Sequence, residues 1–356
     1  MTLQLGSGID CDIHPAVPSL TALFPYLEDH WREIVVTRGL DDLDTISYPP
    51  NAPISCRPDW RPRAGKPGAD LGRLATDALD HFGSGIAIVN CLYGIQALFS
   101  EDLAAALARA VNDWIVHEWL DREPRLRASI IIAPQSVERA VDEIERCAMD
   151  PRFVQVLMLA GGDHPLGKRH LWPIYAAATR HRLPIGIHAG SAYHHAPAPT
   201  GWPAFYTEDY VNQAQAFQTQ LSSLICEGVF NRFPDLKVVL LESGVTWLPA
   251  HLWRLTKYWR SLRMEIPWVD RSPTDIVRSN VRLSVQPIDG PPDSRGLLRI
   301  LDHFKSDELL LFATDYPHWN FDGDAALPDC LDTGLVKKLR FDNPLATYGR
   351  LLNPMT

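Results

Sequence analysis

Residues 310–319 read Leu-Leu-Phe-Ala-Thr-Asp-Tyr-Pro-His-Trp, an apolar run that ends abruptly in a carboxylate, an aromatic ring, a proline and an imidazole. Such a run is typical of a buried strand that delivers Asp315 to the mouth of a site. Two other apolar runs end in a similar way: residues 9–14 (Ile-Asp-Cys-Asp-Ile-His) and residues 183–190 (Leu-Pro-Ile-Gly-Ile-His-Ala-Gly). Three apolar segments that lie far apart in the chain therefore each end in residue types that bind metal ions.

Short apolar runs recur along the whole chain, with amphipathic stretches between most of them. Runs that are apolar throughout are expected of parallel strands, because both faces of such strands are buried. Eight β-then-α units in one chain of this length predict an α/β fold, a single-domain (β/α)8 TIM barrel over residues 1–356. The predicted strands are Gly8–His14, Gly85–Cys91, Arg127–Ala133, Phe153–Ala160, Pro184–Gly190, Leu236–Glu242, Val281–Val285 and Glu308–Asp315.

Helical patterns separate most of the predicted strands, and two segments fit neither pattern. The segment at about 37–80 is rich in Pro, Arg and Asp, and the segment at about 194–209 carries several prolines and aromatic residues. Long irregular segments in a compact domain are usually functional or disordered. The aromatic residues favour ordered walls or lids over the C-terminal face of the barrel. The predicted helices are Glu101–Trp119, Ser136–Met149, Leu171–His181, Tyr210–Phe230, Trp247–Leu262 and a final one near Thr333–Leu352.

The composition excludes several classes of partner. The chain has 356 residues, 46% of them hydrophobic, and a net charge of −9, with no basic run that would favour nucleic acid. The six cysteines form no CxxC pair, which favours reduced thiols and a cytoplasmic location. We find no secretory signal pattern and no apolar run near the roughly 20 residues that cross a bilayer. The expected partner is a small-molecule substrate, with no nucleic acid and no membrane.

Candidate metal ligands stand at the ends of the predicted strands, where barrels place their catalytic residues. Asp12 and His14 are two positions apart, so both side chains lie on one face of an extended chain. His188 ends the fifth strand, Glu242 the sixth and Asp315 the eighth. Carboxylates and imidazoles suit Zn²⁺, Mn²⁺ or Fe²⁺, and the lack of cysteine ligands argues against a structural zinc site.

The motifs resemble those of the amidohydrolase superfamily, in the branch that includes aminocarboxymuconate-semialdehyde decarboxylase, over nearly the whole chain. Asp12–His14 is similar to the first-strand motif, Ile187–Gly190 to the fifth-strand histidine motif, and Thr314–His318 to the eighth-strand aspartate motif. The fourth strand ends in Leu159–Gly161, with no lysine to bridge two metals. The resemblance implies a homodimer and one divalent metal ion, with Zn²⁺ as the first expectation and Mn²⁺ or Fe²⁺ as alternatives. By the resemblance its ligands are Asp12, His14, His188 and Asp315.

The sequence departs from the family on the sixth strand, where relatives carry a histidine and this chain has Glu242. A glutamate there could ligate the metal, act as a base or accept a hydrogen bond from the substrate. Because its charge would repel a carboxylate, we expect a metal-dependent hydrolase. A metal-activated water would attack an ester, lactone or amide bond of a small aromatic or carboxylic substrate, and Asp315 would pass the proton to the leaving group.

The alternative is a non-oxidative, metal-dependent decarboxylase of an aromatic or unsaturated carboxylic acid. Arg57 favours it, since an arginine can clamp a substrate carboxylate through two hydrogen bonds. His318 is expected to orient Asp315 or to touch the substrate, and otherwise caps a turn. In a third alternative the chain is a binding barrel that has lost its metal.

Each candidate also has a plainer role. Asp315 could cap a helix, and His188 could bond the backbone in the core. Glu242 could pair with Arg254. His194, in the second irregular segment, could line the pocket or face solvent.

Overall fold

The barrel architecture follows directly from the eight apolar runs. The structure is a computed structural model that describes residues 8–43, 56–196, 198, 200–318 and 326–352. Eight parallel strands are hydrogen-bonded in the order in which they occur in the chain, which confirms the predicted (β/α)8 barrel. The strands are β1 (Gly8–Ile13), β2 (Ser84–Val89), β3 (Leu126–Ile131), β4 (Phe153–Gly161), β5 (Ile185–Ser191), β6 (Val238–Leu241), β7 (Val281–Ser284) and β8 (Leu310–Leu311).

Backbone hydrogen bonds between β1 and the segment after β8 close the barrel. The amide of Asp315 donates to the carbonyl of Asp12 at 3.0 Å, and the amide of His14 donates to the carbonyl of Tyr316 at 2.8 Å. The last strand is therefore shorter than the predicted run to Asp315. Asp315 has φ 55°, a left-handed conformation that a strand does not allow. The strand ends at Leu311, and the turn at Asp315 presents its carboxylate at the barrel mouth.

The predicted helices lie between the strands, within a few residues of their predicted positions. The helices at Asp29–Arg38, Leu71–Leu74, Pro273–Asn280 and Ser294–Phe304 were not predicted. One predicted helix is wrong in extent: Tyr210–Phe230 is two helices, because the chain takes a left-handed turn at Gly228 with φ 83°. The helices are α1 (Asp29–Arg38), α2 (Leu71–Leu74), α3 (Glu101–Ile115), α4 (Val137–Cys147), α5 (Trp172–Arg180), α6 (Tyr206–Cys226), α7 (Val229–Arg232), α8 (Leu248–Leu262), α9 (Pro273–Asn280), α10 (Ser294–Phe304), α11 (Thr333–Lys337) and α12 (Asn343–Thr347).

The first irregular segment packs against the ends of β1 and β8. Residues 44–55 lie outside the described residues, but the amide of Arg57 donates to the carbonyl of Pro317 at 3.1 Å. A side-chain carbon added at Gly68 would lie 2.4 Å from the carbonyl oxygen of His14. Only glycine permits that approach, so this segment forms one wall of the barrel mouth. Helix α2 lies within the range predicted as loop, which shortens the irregular part.

No helix among the described residues is long and apolar enough to cross a membrane. The six cysteines are free thiols.

Candidate metal centre

Four of the predicted ligand residues come together at the mouth of the barrel. Asp12 lies in β1, His14 follows that strand, His188 lies in β5 and Asp315 lies beyond β8. Each offers one ligand atom, and the four atoms all lie within 4.8 Å of one another. All four residues are buried. Residues that are up to about three hundred positions apart thus form one compact cluster of two carboxylates and two imidazoles.

Carbonyl groups set the orientation of both imidazoles. Nδ1 of His14 lies 2.8 Å from the carbonyl oxygen of Asn90, and Nδ1 of His188 lies 2.7 Å from that of Ala189. A carbonyl can only accept, so each Nδ1 must carry the proton and donate it. The lone pair is then on Nε2 in both neutral rings. Nε2 of His14 lies 2.9 Å from Oδ1 of Asp315, which places that lone pair inside the cluster.

The cluster contains buried polar atoms that the described residues do not satisfy. Oδ2 of Asp12, Oδ2 of Asp315 and Nε2 of His188 are buried and make no hydrogen bond of good geometry to any described residue. Buried carboxylate oxygens and imidazole nitrogens are normally hydrogen-bonded or bound to metal. Two carboxylates and two imidazoles form a donor set that suits a divalent first-row metal ion. The residues present therefore fit one divalent metal ion.

The charges of the cluster favour protonated histidine when no cation balances them. Burial, the largest single effect, would lower the pKa of His188, but the Asp12 carboxylate, 3.3 Å from its Nε2, together with Glu242 and the Ala189 carbonyl raises the pKa to about 10. Burial likewise opposes ionisation of Asp315, yet the adjacent His318 and His14 rings hold the pKa of that carboxyl well below its usual range. A metal ion would supply the positive charge that these protons provide.

Glu242 lies directly after β6, next to the cluster. Its backbone has φ 55°. Oε1 accepts a hydrogen bond from the hydroxyl of Tyr210 at 2.9 Å, and Oε2 lies 3.6 Å from Nε2 of His188. Burial, reinforced by the charge of Asp315, raises the pKa of Glu242. The carboxylate therefore faces the metal ligands on one side and a phenol donor on the other.

His318 joins the cluster through Asp315. Its Nδ1 lies 2.6 Å from Oδ1 of Asp315, and its ring stacks on His14 with centroids 4.4 Å apart. The side chain is 20% exposed, whereas Asp315 is fully buried. His318 thus connects the buried carboxylate with the open end of the barrel. Trp319, the next residue in the chain, lies outside the described residues.

Arg57 lies near the mouth but is engaged elsewhere. Its Nε and Nη2 donate to the two carboxylate oxygens of Asp59 at 2.7 and 2.6 Å, and its guanidinium lies 4.3 Å from the ring centroid of Trp60. The structure therefore shows Arg57 in a salt bridge with Asp59. The carboxylate clamp stays a prediction.

His194 does not join the metal-ligand cluster. Nδ1 of this ring lies 2.7 Å from Oδ1 of Asp163, Nε2 lies 2.9 Å from the carbonyl oxygen of Ala97, and the ring stacks on Phe99. These contacts anchor the second irregular segment to its neighbours. Residues 197 and 199 of that segment lie outside the described residues.

Sequence reasoning missed two residues of the site. Asn90 lies just after β2, where its Nδ2 donates to Oδ1 of Asp12 at 2.8 Å. A polar residue at the end of an apolar strand was the available signal, because the other candidates were found in that way. Tyr210 lies in the first turns of α6, and nothing in its local sequence distinguishes it from other helix residues.

Known proteins share this fold at low sequence identity. The sequence profile of the amidohydrolase family matches residues 9–350. A gamma-resorcylate decarboxylase of Rhodococcus jostii (strain RHA1) is 25% identical over 260 residues, which cover 69% of this chain and 77% of that protein. An amidohydrolase of Mycobacterium avium subsp. paratuberculosis K-10 has a TM-score of 0.73 at 21% identity, over 97% of this chain and 100% of that chain. A dihydroxybenzoic acid decarboxylase of Polaromonas sp. JS666, with bound manganese and the inhibitor 2-nitroresorcinol, has a TM-score of 0.68 at 18% identity, over 98% of each chain.

The expectation of a hydrolase is wrong, because the relative from Rhodococcus is a decarboxylase. The expectation rested on repulsion between Glu242 and a substrate carboxylate. In the structure Tyr210 donates a hydrogen bond to Glu242, and burial raises the pKa of that carboxyl. Both effects weaken the repulsion. By the match over residues 9–350, this chain is an enzyme of the amidohydrolase family, in the branch that includes aminocarboxymuconate-semialdehyde decarboxylase.

Proposed function

We propose that the protein is a non-oxidative, metal-dependent decarboxylase of a hydroxylated aromatic carboxylic acid. The observation that carries the proposal is the buried carboxylate of Asp315, which lies within the metal-ligand cluster and 2.6 Å from His318. That arrangement can deliver a proton to a bound substrate. The decarboxylase activity of the relative from Rhodococcus supports the choice of reaction.

The reaction needs a proton at carbon and no other co-reactant. The bond between the ring carbon and the carboxylate breaks, CO₂ leaves, and the electron pair that remains on the ring takes up one proton. Asp315 is the proposed donor to carbon, and His318 resupplies it from the barrel mouth. Burial opposes the charge of His318, but the Asp315 carboxylate raises the pKa of His318 to about 9. The pair therefore holds a proton near neutral pH.

Asp12, His14, His188 and Asp315 are the proposed ligands of one divalent ion. When bound, the ion would supply positive charge for the oxygen atoms of the substrate. Zn²⁺ was the first expectation, and Mn²⁺ is an equal candidate because the Polaromonas structure contains manganese.

Glu242 is the proposed acceptor for a hydroxyl group of the substrate. Its hydrogen bond to Tyr210 fixes the carboxylate beside the metal ligands. Tyr210 also lines a cavity of about 390 Å³ with Pro287, Ile288, Pro291 and Leu297. That volume falls in the usual range for small-molecule pockets, roughly 300–1,000 Å³. The wall also carries the polar residues Asp289 and Ser294. Its proline and aliphatic side chains can pack against an aromatic ring, and a carboxylate acceptor favours a ring that bears hydroxyl groups.

The direct test is an assay of the metal-loaded protein with 2,6-dihydroxybenzoate and other hydroxylated benzoates. We expect release of CO₂, and in D₂O a product with one deuterium at the carbon that lost the carboxylate. The same protein should hydrolyse none of a panel of esters, lactones and amides. Hydrolysis of that panel with no CO₂ from any benzoate would reject the proposal.

We further propose a homodimer in the cytoplasm. Three large apolar side chains of α8 are exposed, namely Trp253 (57%), Tyr258 (44%) and Leu262 (50%), as is typical of a subunit interface. The free cysteines suit a reducing compartment.

A further inference from the structure

A chain of hydrogen bonds runs through the interior of the barrel and ends at a metal ligand. The Tyr348 hydroxyl donates to Oε1 of Gln155 at 3.1 Å, and Nε2 of Gln155 donates to the Ser129 hydroxyl at 2.9 Å. Ser129 donates to Oδ1 of Asn90 at 2.6 Å, and Nδ2 of Asn90 donates to Oδ1 of Asp12 at 2.8 Å. All five residues are completely buried. The chain links the region after α12 to the metal centre across β4, β3, β2 and β1.

The direction of these hydrogen bonds is determined by chemistry. An ionised carboxylate only accepts, so Asn90 must turn its NH₂ group toward Asp12. Its carbonyl oxygen then faces the Ser129 hydroxyl and Nε2 of Gln155, which lies 3.2 Å away. A reversed Gln155 amide would place two acceptors together. Every donor therefore points toward Asp12, and the amide of Asn90 is held in one orientation.

The backbone of the barrel makes room for this chain. A side-chain carbon at Gly186, in β5, would lie 2.4 Å from Nε2 of Gln155. Buried polar groups destabilise the fold when they lack hydrogen-bond partners. The side-chain amides of Asn90 and Gln155 avoid that cost because both are hydrogen-bonded at each end.

Asn90 contacts both ligands that come from β1. Its backbone carbonyl oxygen accepts a hydrogen bond from Nδ1 of His14 at 2.8 Å, and its side-chain Nδ2 donates to Oδ1 of Asp12. Oδ2 of Asp12 is left facing Nε2 of His188 at 3.3 Å. We propose that Asn90 is the positioning residue of the metal centre: its amide, oriented by Ser129 and Gln155, fixes the Asp12 carboxylate with Oδ1 3.2 Å from Nε2 of His14 and Oδ2 toward His188.

This inference rests on the proposed metal site and not on the proposed reaction. Its measurement is therefore metal affinity, which a different reaction would leave unchanged. Mutation of a group that hydrogen-bonds to a metal ligand typically lowers metal affinity 10- to 100-fold.

The test compares Asn90→Ala with Asn112→Ala in metal-stripped protein. Asn112 is a matched control because it is also completely buried and its Nδ2 donates to a carboxylate oxygen, that of Glu143, at 2.7 Å. Asn112 lies in α3, outside the ring of strands that holds the metal centre. Both substitutions should lower the thermal stability, so stability alone cannot explain a difference in metal binding.

We expect Asn90→Ala to weaken Mn²⁺ binding in calorimetry by at least about tenfold, and Asn112→Ala to leave it within about twofold of the wild type. A smaller loss in Asn90→Ala, or an equal loss in Asn112→Ala, would overturn the proposal. If Asn90→Ala does not fold, Ser129→Ala decides, since it removes the donor to Asn90 and touches no ligand. We then expect a loss of about threefold or more, and unchanged affinity would overturn the proposal.

Discussion

Oδ1 of Asp315 lies between two imidazoles, 2.6 Å from Nδ1 of His318 and 2.9 Å from Nε2 of His14. The same carboxylate keeps Oδ2 without a hydrogen-bond partner among the described residues. His318 thus holds Oδ1 by a hydrogen bond, and the lone pair on Nε2 of the neutral His14 ring faces the same oxygen. Oδ2 is available to a metal ion or a substrate. Asp315 is therefore placed to act both as a metal ligand and as a proton donor.

Asp315→Asn should nearly abolish decarboxylation while the barrel remains folded. The amide cannot carry the proton that the ring carbon needs, so we expect kcat to fall by more than about 100-fold. Steady-state kinetics with circular dichroism would measure both effects. Asp302→Asn is the control, since Asp302 pairs with Lys305 on the exposed face of α10. Activity of Asp315→Asn within about tenfold of the wild type, a barrier change of only ~1.4 kcal/mol, would contradict the role.

His318→Gln should remove the alkaline limb of the pH profile. Burial opposes the charged form, but Asp315 raises the pKa of His318 to about 9. The protonated form that resupplies Asp315 is therefore present below that pH and is lost above it, so wild-type kcat should fall as the pH rises through about 9. His318→Gln should be slower, by about tenfold or more, and lack this limb. His117→Gln, an exposed partner of Asp121, is the control. An unchanged profile in His318→Gln would rule out the proton route.

Metal binding should release protons. A histidine ligand must be neutral to bind. Burial lowers the pKa of His188, yet Asp12, Glu242 and the Ala189 carbonyl together raise it to about 10 in the metal-free cluster. Binding at neutral pH should therefore displace about one proton, and affinity should rise about tenfold per pH unit below 10. Calorimetry in buffers of different ionisation enthalpy measures the protons. Identical heats in all buffers would refute the prediction.

The same shift gives the metal-free protein a defined pH dependence of stability. The folded-state pKa of His188 lies above its ordinary value of 6.5. The stabilisation of the folded state by protonated His188 is then complete below pH 6.5 and is lost as the pH rises toward about 10. Thermal melts of metal-stripped protein should show this loss, and His188→Asn should lose less stability over the same interval.

Tyr210→Phe should lower kcat/KM for hydroxylated benzoates by about fivefold to tenfold. The hydrogen bond from Tyr210 to Glu242 is partly buried, and such a bond contributes about 1 kcal/mol. Its loss leaves the carboxylate less well placed for the hydroxyl of the substrate. Tyr26→Phe is a matched control, since the Tyr26 hydroxyl donates to Glu118 at 3.3 Å on another face. Equal effects in the two variants would mean that Tyr210 has no role in substrate recognition.

Trp253→Asp should convert the proposed dimer to monomers, because a charge on the exposed face of α8 would have to be buried in the interface. Sedimentation velocity would show the change in mass. Val36→Asp, on the exposed side of α1, should leave the assembly intact. A dimer in both variants would place the interface elsewhere.

The sequence alone determined the barrel and the residue types of the candidate metal centre. Parallel strands buried on both faces must be apolar throughout, so eight such runs are visible without any structure. Because the site of a barrel lies where strands end, Asp12, His14, His188 and Asp315 could be chosen by position. The order of the strands followed from the order of the runs.

Tertiary structure decided which polar atoms meet. Arg57 could pair with a substrate or with Asp59, and only the packing of its segment gave Asp59. Tyr210 reaches Glu242 across 32 positions of sequence, a contact that no local pattern encodes. Asn90 joins Asp12 because adjacent strands place their ends side by side. A hydrogen bond requires a donor–acceptor distance correct to a few tenths of an ångström and a nearly linear angle. Only the folded chain specifies that distance and that angle.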